Sequence, residues 1–349
     1  MTDLYFYNLN VGSGIEATGD RVISMLDDYP GKIHVYKHQN PPYLLLDDLI
    51  KVQPDVIVMN EYYPRVLEGV YYYKVWKPKT KVILLNHDWL RSTYVPYDID
   101  DPKGEHRLSS HDQVALLNTA WHNTIDIFIT LNHRPEGRDY PEWVKYKTVE
   151  HVHPIPDAFN PTMRWKNRRK DFMYYGVLWP HKFSRAFIEA IDGSDIYVDL
   201  YGNIREDDDE SKEYNQFIAN SRNVQYMGYI PDHELINRLN EYRFWVFPRE
   251  GHELFCLCMA EALRCNVIPL VVNPPEGNRP NWADWASGCY FRYHDIEELI
   301  DRMKHYLSQK NDPEFIERMD EYAEQAGARI RSATDYKEFK KILYRYIII

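Results

Sequence analysis

Along this chain, short runs of apolar, β-branched and aromatic residues alternate with longer stretches whose apolar positions recur every three to four residues. In the first half the short runs fall at 4–9, 32–37, 55–59, 81–85 and 125–131, and the helical stretches near 15–28, 44–52, 65–75 and 107–122. A second alternation places strands at 172–175, 196–201, 224–227, 244–247, 267–271 and 289–291, with helices near 182–191, 232–240, 257–264 and 296–307. Strand runs this short and continuous, separated by helices, specify parallel sheets covered on both faces. Between the two series, residues 153–170 carry three prolines and five basic residues without a clean period, and read as an interdomain linker. The expected architecture is α/β: two facing, doubly wound, Rossmann-like domains of roughly 150 residues each, with ligands bound at the strand carboxyl ends in the cleft between them.

Composition narrows the classes. With 44% hydrophobic and 27% charged residues, the chain has the mixture of an ordinary globular protein. No apolar run approaches the roughly 20 residues needed to cross a bilayer, and the N-terminus lacks a basic-then-apolar leader. The expectation is a cytoplasmic protein without membrane insertion. All four cysteines (Cys256, Cys258, Cys265 and Cys289) lie in one stretch, which argues against a disulfide scaffold. Cys256 and Cys258 are two apart in an expected helix, where they share no face, so ordinary burial outranks zinc. A net charge of −11 disfavours non-specific binding to nucleic acid or anionic lipid. The acidic run 206–210 reads as a solvated loop, and the 29 tyrosines as packing rather than stacking surfaces.

Four segments carry candidate chemistry. Gly12-Ser13-Gly14 joins the first strand to the first helix, where glycines permit close approach and free amides suit an anion; a tight turn explains it equally well. His87 and Asp88 follow the fourth strand at its carboxyl end, and a satisfied structural histidine is the plain alternative. Tyr175 to Lys182 turns from strand into helix and puts a cation near a helix N-terminus, an unfavourable place unless an anion joins it. Finally, Glu253 and Glu261 bracket an almost wholly apolar run; in the plainest reading the first caps the helix and the second is exposed.

Glu253 and Glu261, preceded by Phe247-Pro248 and followed by Ala262-Leu263 and the strand Val267-Ile268-Pro269, resemble the Glu-x7-Glu signature of retaining GT-B glycosyltransferases, the large family that includes sucrose and glycogen synthases. The segment from Asn223 to Pro231 is similar to that family's lining of the nucleotide base. The resemblance implies an N-terminal acceptor-side domain over 1–160, completed by a terminal helix in 335–349, and a nucleotide-sugar domain over 161–334. It implies a nucleoside-diphosphate sugar as donor, a UDP-sugar above all, with no tightly bound cofactor and no required metal. Glu253 would then face the donor sugar, Glu261 the ribose, Lys182 the diphosphate, and His87 the sugar near the acceptor. Gly12, Ser13 and Gly14 would approach the phosphates, and Gly202, Tyr229, Ile230, Phe255, Cys256 and Leu257 complete the implied donor site. An arginine usual in the family after the Gly176 position is Val177 here, for which Arg249 or Arg185 would substitute.

A narrower likeness links Asn86-His87-Asp88, Leu200 to Asn203, Ile268 to Val271 and Glu276-Gly277-Asn278 to phage enzymes that glycosylate hydroxymethylated cytosines in DNA. It implies a flipped-out base as acceptor, in a host cytoplasm, with the basic residues of 164–170 or 74–81 tracking phosphates. Competing readings are transfer to a polysaccharide, lipid or small molecule, a nucleotide-sugar epimerase, a non-catalytic sugar- or DNA-binding relative, and a metal-dependent transferase using Asp98 and Asp100 or Asp207 to Asp209.

Overall fold

The computed structural model describes residues 3–9, 14–38, 45–60, 64–87, 124–131, 147–180, 182–204, 209–248, 256–272 and 286–348. The chain forms two compact units, Met1–Pro154 with Asp335–Ile349, and Ile155–Thr334. Each is built on a six-stranded parallel sheet. The expected helix at 107–122 and the acidic residues Asp98, Asp100, Asp207 and Asp208 lie outside the described residues.

The first unit contains β1 (Leu4–Leu9), α1 (Gly14–Met25), β2 (Ile33–His38), α2 (Leu45–Val52), β3 (Val56–Asn60), α3 (Pro64–Trp76), β4 (Lys81–Asn86), β5 (Ile127–Thr130) and β6 (Thr148–Glu150). Its strands run in the order β2-β1-β3-β4-β5-β6, so the order reverses between β1 and β3. The two-residue period of each strand divides the core between the sheet's faces. Tyr5, Tyr7, Ile57, Met59, Val82 and Leu84 meet Leu45 and Leu49 of α2 and Val66, Val70 and Tyr73 of α3. Leu4, Phe6, Val56, Val58, Ile83 and Leu85 meet Val22 and Met25 of α1 on the other face.

That second face is completed from the far end of the chain. The last helix of the described chain, Tyr336–Ile347, is capped by Asp335, whose carboxylate accepts from the amides of Lys337 and Glu338. Phe339, Leu343 and Ile347, spaced four apart on one stripe, are fully buried in the same cluster as Leu4 and Val58. At about 1.5–3 kcal/mol for each fully buried side chain, this stripe is a substantial part of the unit's stability.

The second unit contains a 3-10 turn (Trp165–Asn167), β7 (Lys170–Tyr175), α4 (Arg185–Ile191), β8 (Val198–Tyr201), α5 (Asp209–Asn220), β9 (Val224–Gly228), α6 (Asp232–Leu239), β10 (Tyr242–Phe247), α7 (Leu257–Arg264), β11 (Ile268–Val272), β12 (Phe291–Tyr293), α8 (Ile296–Gln309) and α9 (Pro313–Ala333); the terminal helix Tyr336–Ile347 is α10. The strand order is β12-β11-β10-β7-β8-β9, so the reversal falls between β7 and β10.

The structure corrects four readings. Asp209 and Glu210 are not loop residues but the first turn of α5, where carboxylates complement the helix dipole. Most of residues 308–334, to which the sequence reading gave no element, form α9. It starts on Asp312, which accepts from the amides of Glu314 and Phe315, with Pro313 in the first turn. The segment 155–170 packs within the second unit: Trp165 is buried against Phe244 and Tyr306, and its Nε1–H donates to the carbonyl of Arg243. Lastly, Arg168 is no phosphate-tracking residue. It is 2% exposed and donates to the carbonyls of Tyr242 and Cys265, while Lys166 pairs with Glu317 and Arg164 with Asp320. Lys74 and Lys77, the other basic group, pair with Asp126 at 2.5 Å and Asp55 at 2.8 Å.

Candidate functional site

At the carboxyl ends of β7 and β8 two glycines let the chain fold onto itself. Gly176 has φ 145° and Gly202 φ 141°, and a Cβ on Gly202 would lie 1.7 Å from the carbonyl oxygen of Gly176. Only glycine fits at 202. The Gly176 amide donates to the carbonyl of Tyr201 and the Leu178 amide to that of Asn203, so the two segments leave the sheet side by side.

The neighbouring β10 leads towards α7, whose N-cap is Cys256 and whose first residue is the half-buried Leu257. Within α7, Glu261 is not exposed but 4% accessible. Its Oε2 accepts from the hydroxyl of Tyr175, at 2.8 Å, and that hydroxyl also reaches the carbonyl of Cys258 at 2.6 Å. Burial, with the Glu261 charge next in effect, pushes the Tyr175 hydroxyl well above its ordinary pKa, so it remains a donor. A carboxylate this deeply buried is costly without such partners. The Cys258 sulfur lies against Gly176, and its thiol feels both Glu261 and the ammonium of Lys182. The structure thus gathers Tyr175, Gly176, Lys182, Cys258 and Glu261 into one cluster beside the point where the strand order reverses.

Lys182 joins this cluster from the turn before α4, half-buried, its amide donating to the carbonyl of Trp179. Other expected donor-site residues are placed differently. Arg185 is turned to Glu189 and Glu213, with its guanidinium over the ring of Phe217. Tyr229 is 64% exposed and Ile230 9%, directly after β9. Cys256 and Cys258 do approach each other, because Cys256 has extended backbone (φ −89°, ψ 97°) and stands outside the helix. Arg249, Glu253, Phe255 and the run 276–278 lie outside the described residues.

The first unit has a cluster of another kind at its own reversal point. His87 follows β4, is 5% exposed, and places Nε2 2.6 Å from Oδ1 of Asn60, the last residue of β3. Asn60 donates through Nδ2 to Oδ1 of Asn8 on β1, at 2.7 Å. Asn8 donates to the carboxylate of Asp20 at 2.9 Å and to the carbonyl of Glu16. The His153 ring lies 5.0 Å from that of His87, tilted by 49°, and its Nδ1 lies 3.2 Å from the Thr18 hydroxyl. Burial holds His87 down to about 3 and His153 well below the ordinary histidine value, so both are neutral near pH 7. Gly14 opens α1, whereas Gly12, Ser13 and Asp88 lie outside the described residues.

Asn8, Asn60, Asp20 and His153 escaped the sequence reading. A signal was present: Asn8 and Asn60 interrupt runs of strand-forming residues, Tyr-Phe-Tyr-Asn-Leu and Val-Ile-Val-Met-Asn, where asparagine is disfavoured. Among the described residues no group of three or more His, Cys, Asp or Glu side chains could hold a metal ion, and no helix is long and apolar enough to cross a membrane.

Residues 159–326 match the family model described as Glycosyl transferases group 1. No curated protein matches the chain. Among solved structures, Anabaena Alr3699/HepE in complex with UDP and glucose is 13% identical, with TM-score 0.68 and coverage of 99% of both chains. A glycosyltransferase from Rickettsia africae is 12% identical, with TM-score 0.66 and coverage of 99% of this chain and 97% of its own. The Staphylococcus aureus MnaA–UDP structure is 11% identical, with TM-score 0.59 over 100% of this chain and 98% of its own. At these identities the likeness is one of fold, and the fold is GT-B, two Rossmann-like α/β units. The family match falls within the second unit, and the protein is an enzyme of the glycosyltransferase class.

Proposed function

We propose that this glycosyltransferase moves a sugar from a nucleoside diphosphate, a UDP-sugar above all, to a hydroxyl acceptor with retention of anomeric configuration. The observation that carries the reading is the cluster of Glu261, Tyr175, Lys182 and the paired glycines Gly176 and Gly202, at the strand ends of the unit that matches the family model. In open parallel sheets the reversal of strand order is where nucleotides bind. Support for the nucleotide comes from the UDP bound in two structures that share the fold.

Each residue's part follows from its chemistry. The buried Glu261 carboxylate is an acceptor held for the paired hydroxyls of a ribose, and Lys182 supplies positive charge to the leaving diphosphate, on which negative charge grows in the transition state. Glycine at 176 and 202 lets phosphate oxygens approach backbone amides that a Cβ would shield. Glu253, by its place in the sequence motif, takes the donor sugar's hydroxyls. The neutral His87 of the first unit hydrogen-bonds a hydroxyl of the sugar or acceptor and leaves proton transfer near pH 7 to other groups.

The test is product mass spectrometry after incubation with a panel of nucleotide sugars and three acceptor classes: saccharides, lipids and hydroxymethylated DNA. Transfer from a UDP-sugar with retained configuration at the anomeric carbon is the expected result; release of an epimerised donor without any acceptor would replace this reading. Labelling of hydroxymethylated DNA would extend the reading to DNA modification, although Arg168 is buried and Lys74 and Lys77 are committed to carboxylates. Turnover is expected to survive EDTA, since Lys182 and backbone dipoles meet the phosphate charge; loss of activity restored by magnesium overturns that part.

A further inference from the structure

The donor and acceptor roles around His87 can be assigned atom by atom. The carbonyl oxygen of Glu16 and the carboxylate of Asp20, itself paired with Lys37 at 2.5 Å, can only accept. The Asn8 atom facing them is therefore its NH2 group, and its oxygen faces Asn60. Asn60 must then present its own NH2 to Asn8 and its oxygen to His87. An oxygen at 2.6 Å requires a proton on Nε2, which leaves Nδ1 of the neutral imidazole as a lone pair. Among the described residues no hydrogen bond reaches that buried Nδ1.

We propose that Asp20, Asn8 and Asn60 form a one-way hydrogen-bond relay that locks His87 in its Nε2–H tautomer and makes Nδ1 an acceptor for a sugar hydroxyl. The last clause rests on the glycosyltransferase reading; the tautomer does not. Asn8, Asn60 and Asp20 are positioning residues, acting through His87. Their closeness is built into α1: a Cβ on Gly19 would fall 2.1 Å from Oδ1 of Asn8 and 2.3 Å from Nδ2 of Asn60, so the helix reaches the amide pair only with glycine there. Reversal at any link would turn Nδ1 into a donor, which repels the hydroxyl's proton and changes what the site selects.

The experiment is imidazole nitrogen NMR on the full-length protein, with the His87 signals assigned by their disappearance in His87→Gln. The expected spectrum has a pyrrole-type Nε2 and a pyridine-type Nδ1 near pH 7; the reverse pattern overturns the relay. In Asn60→Ala the two tautomers mix and turnover falls by about tenfold, whereas Asn60→Asp, which keeps an acceptor at that contact, retains the proton on Nε2. A merely structural Asn60 would lower stability in both variants and leave the tautomer untouched. Asp20→Ala, at a partly exposed position, gives the same mixing to a smaller extent if the fully buried Asn60 variants fail to fold. A pyrrole-type Nε2 in a protein that transfers no sugar keeps the relay and removes the activity; transfer with a pyrrole-type Nδ1 does the opposite.

Discussion

The two reversal points of this molecule are built from opposite materials. In the second unit the sheet ends in glycines, a buried carboxylate and a nearby ammonium: Gly176, Gly202, Glu261 and Lys182. In the first it ends in neutral groups that hold one another, Asn8, Asn60, His87 and His153. Under the proposed function, the same chain topology serves two tasks. Glycine and fixed charge suit a diphosphate, which offers dense negative charge and demands close approach. Amides and uncharged imidazoles suit hydroxyls, which offer direction but no charge and would be poorly distinguished from water by an ion.

The contrast is broken most violently at Gly202. Replacing it with alanine forces a Cβ against the Gly176 carbonyl in a backbone region that side chains rarely adopt, and the expected loss is about 3 kcal/mol or more. Thermal unfolding checks it against Gly193→Ala, where φ is also positive but nothing lies within 4 Å of the new Cβ and the cost should be about 1 kcal/mol. Equal losses at both positions would mean that the Gly176 contact is relaxed in solution.

A subtler break is Glu261→Gln, which keeps the acceptor for the Tyr175 hydroxyl but removes the charge. The fold should survive, and UDP-sugar affinity should fall by about tenfold, corresponding to roughly 1.4 kcal/mol. Calorimetric titration measures it; unchanged affinity would remove the carboxylate from the donor site.

The first unit's neutrality predicts a pH dependence. His87 has its folded pKa lowered from 6.5 to about 3, so between those values the unfolded chain binds the extra proton. Stability is then complete above pH 6.5 and declines as pH falls towards 3, by at most about 1.4 kcal/mol per pH unit for this residue. His153, also depressed, adds to the slope. Denaturant unfolding between pH 4 and 7 should give a shallower slope for His87→Gln than for the parent; parallel slopes would place His87 in water.

How far these sites were legible depended on where their causes lie. The helix at 257–264 and the strand at 4–9 could be bounded from local pattern alone, because the periodicity and its punctuation are adjacent in sequence. Glu261 was singled out for the apolar run around it, but its partner Tyr175 is 86 residues away. Arg168 looked like surface since nothing near it in sequence shows that the carbonyls of Tyr242 and Cys265 will surround it. The Cys256–Cys258 approach was missed because helix geometry was applied to Cys256, which stands just outside the 257–264 run in extended backbone. The Asn8–Asn60 pair joins two strands through side chains, and only the parallel register that sets Asn8 opposite Asn60 reveals it.

The final helix has a consequence for biosynthesis. A ribosome completes the first sheet early, yet Phe339, Leu343 and Ile347, which seal one of its faces, are translated only after Ile155–Thr334. At ordinary elongation rates that interval is roughly 10–40 s. Throughout it the nascent first unit carries an unsealed apolar face while the whole of the second can already have folded. The order of maturation is therefore the reverse of the order of synthesis.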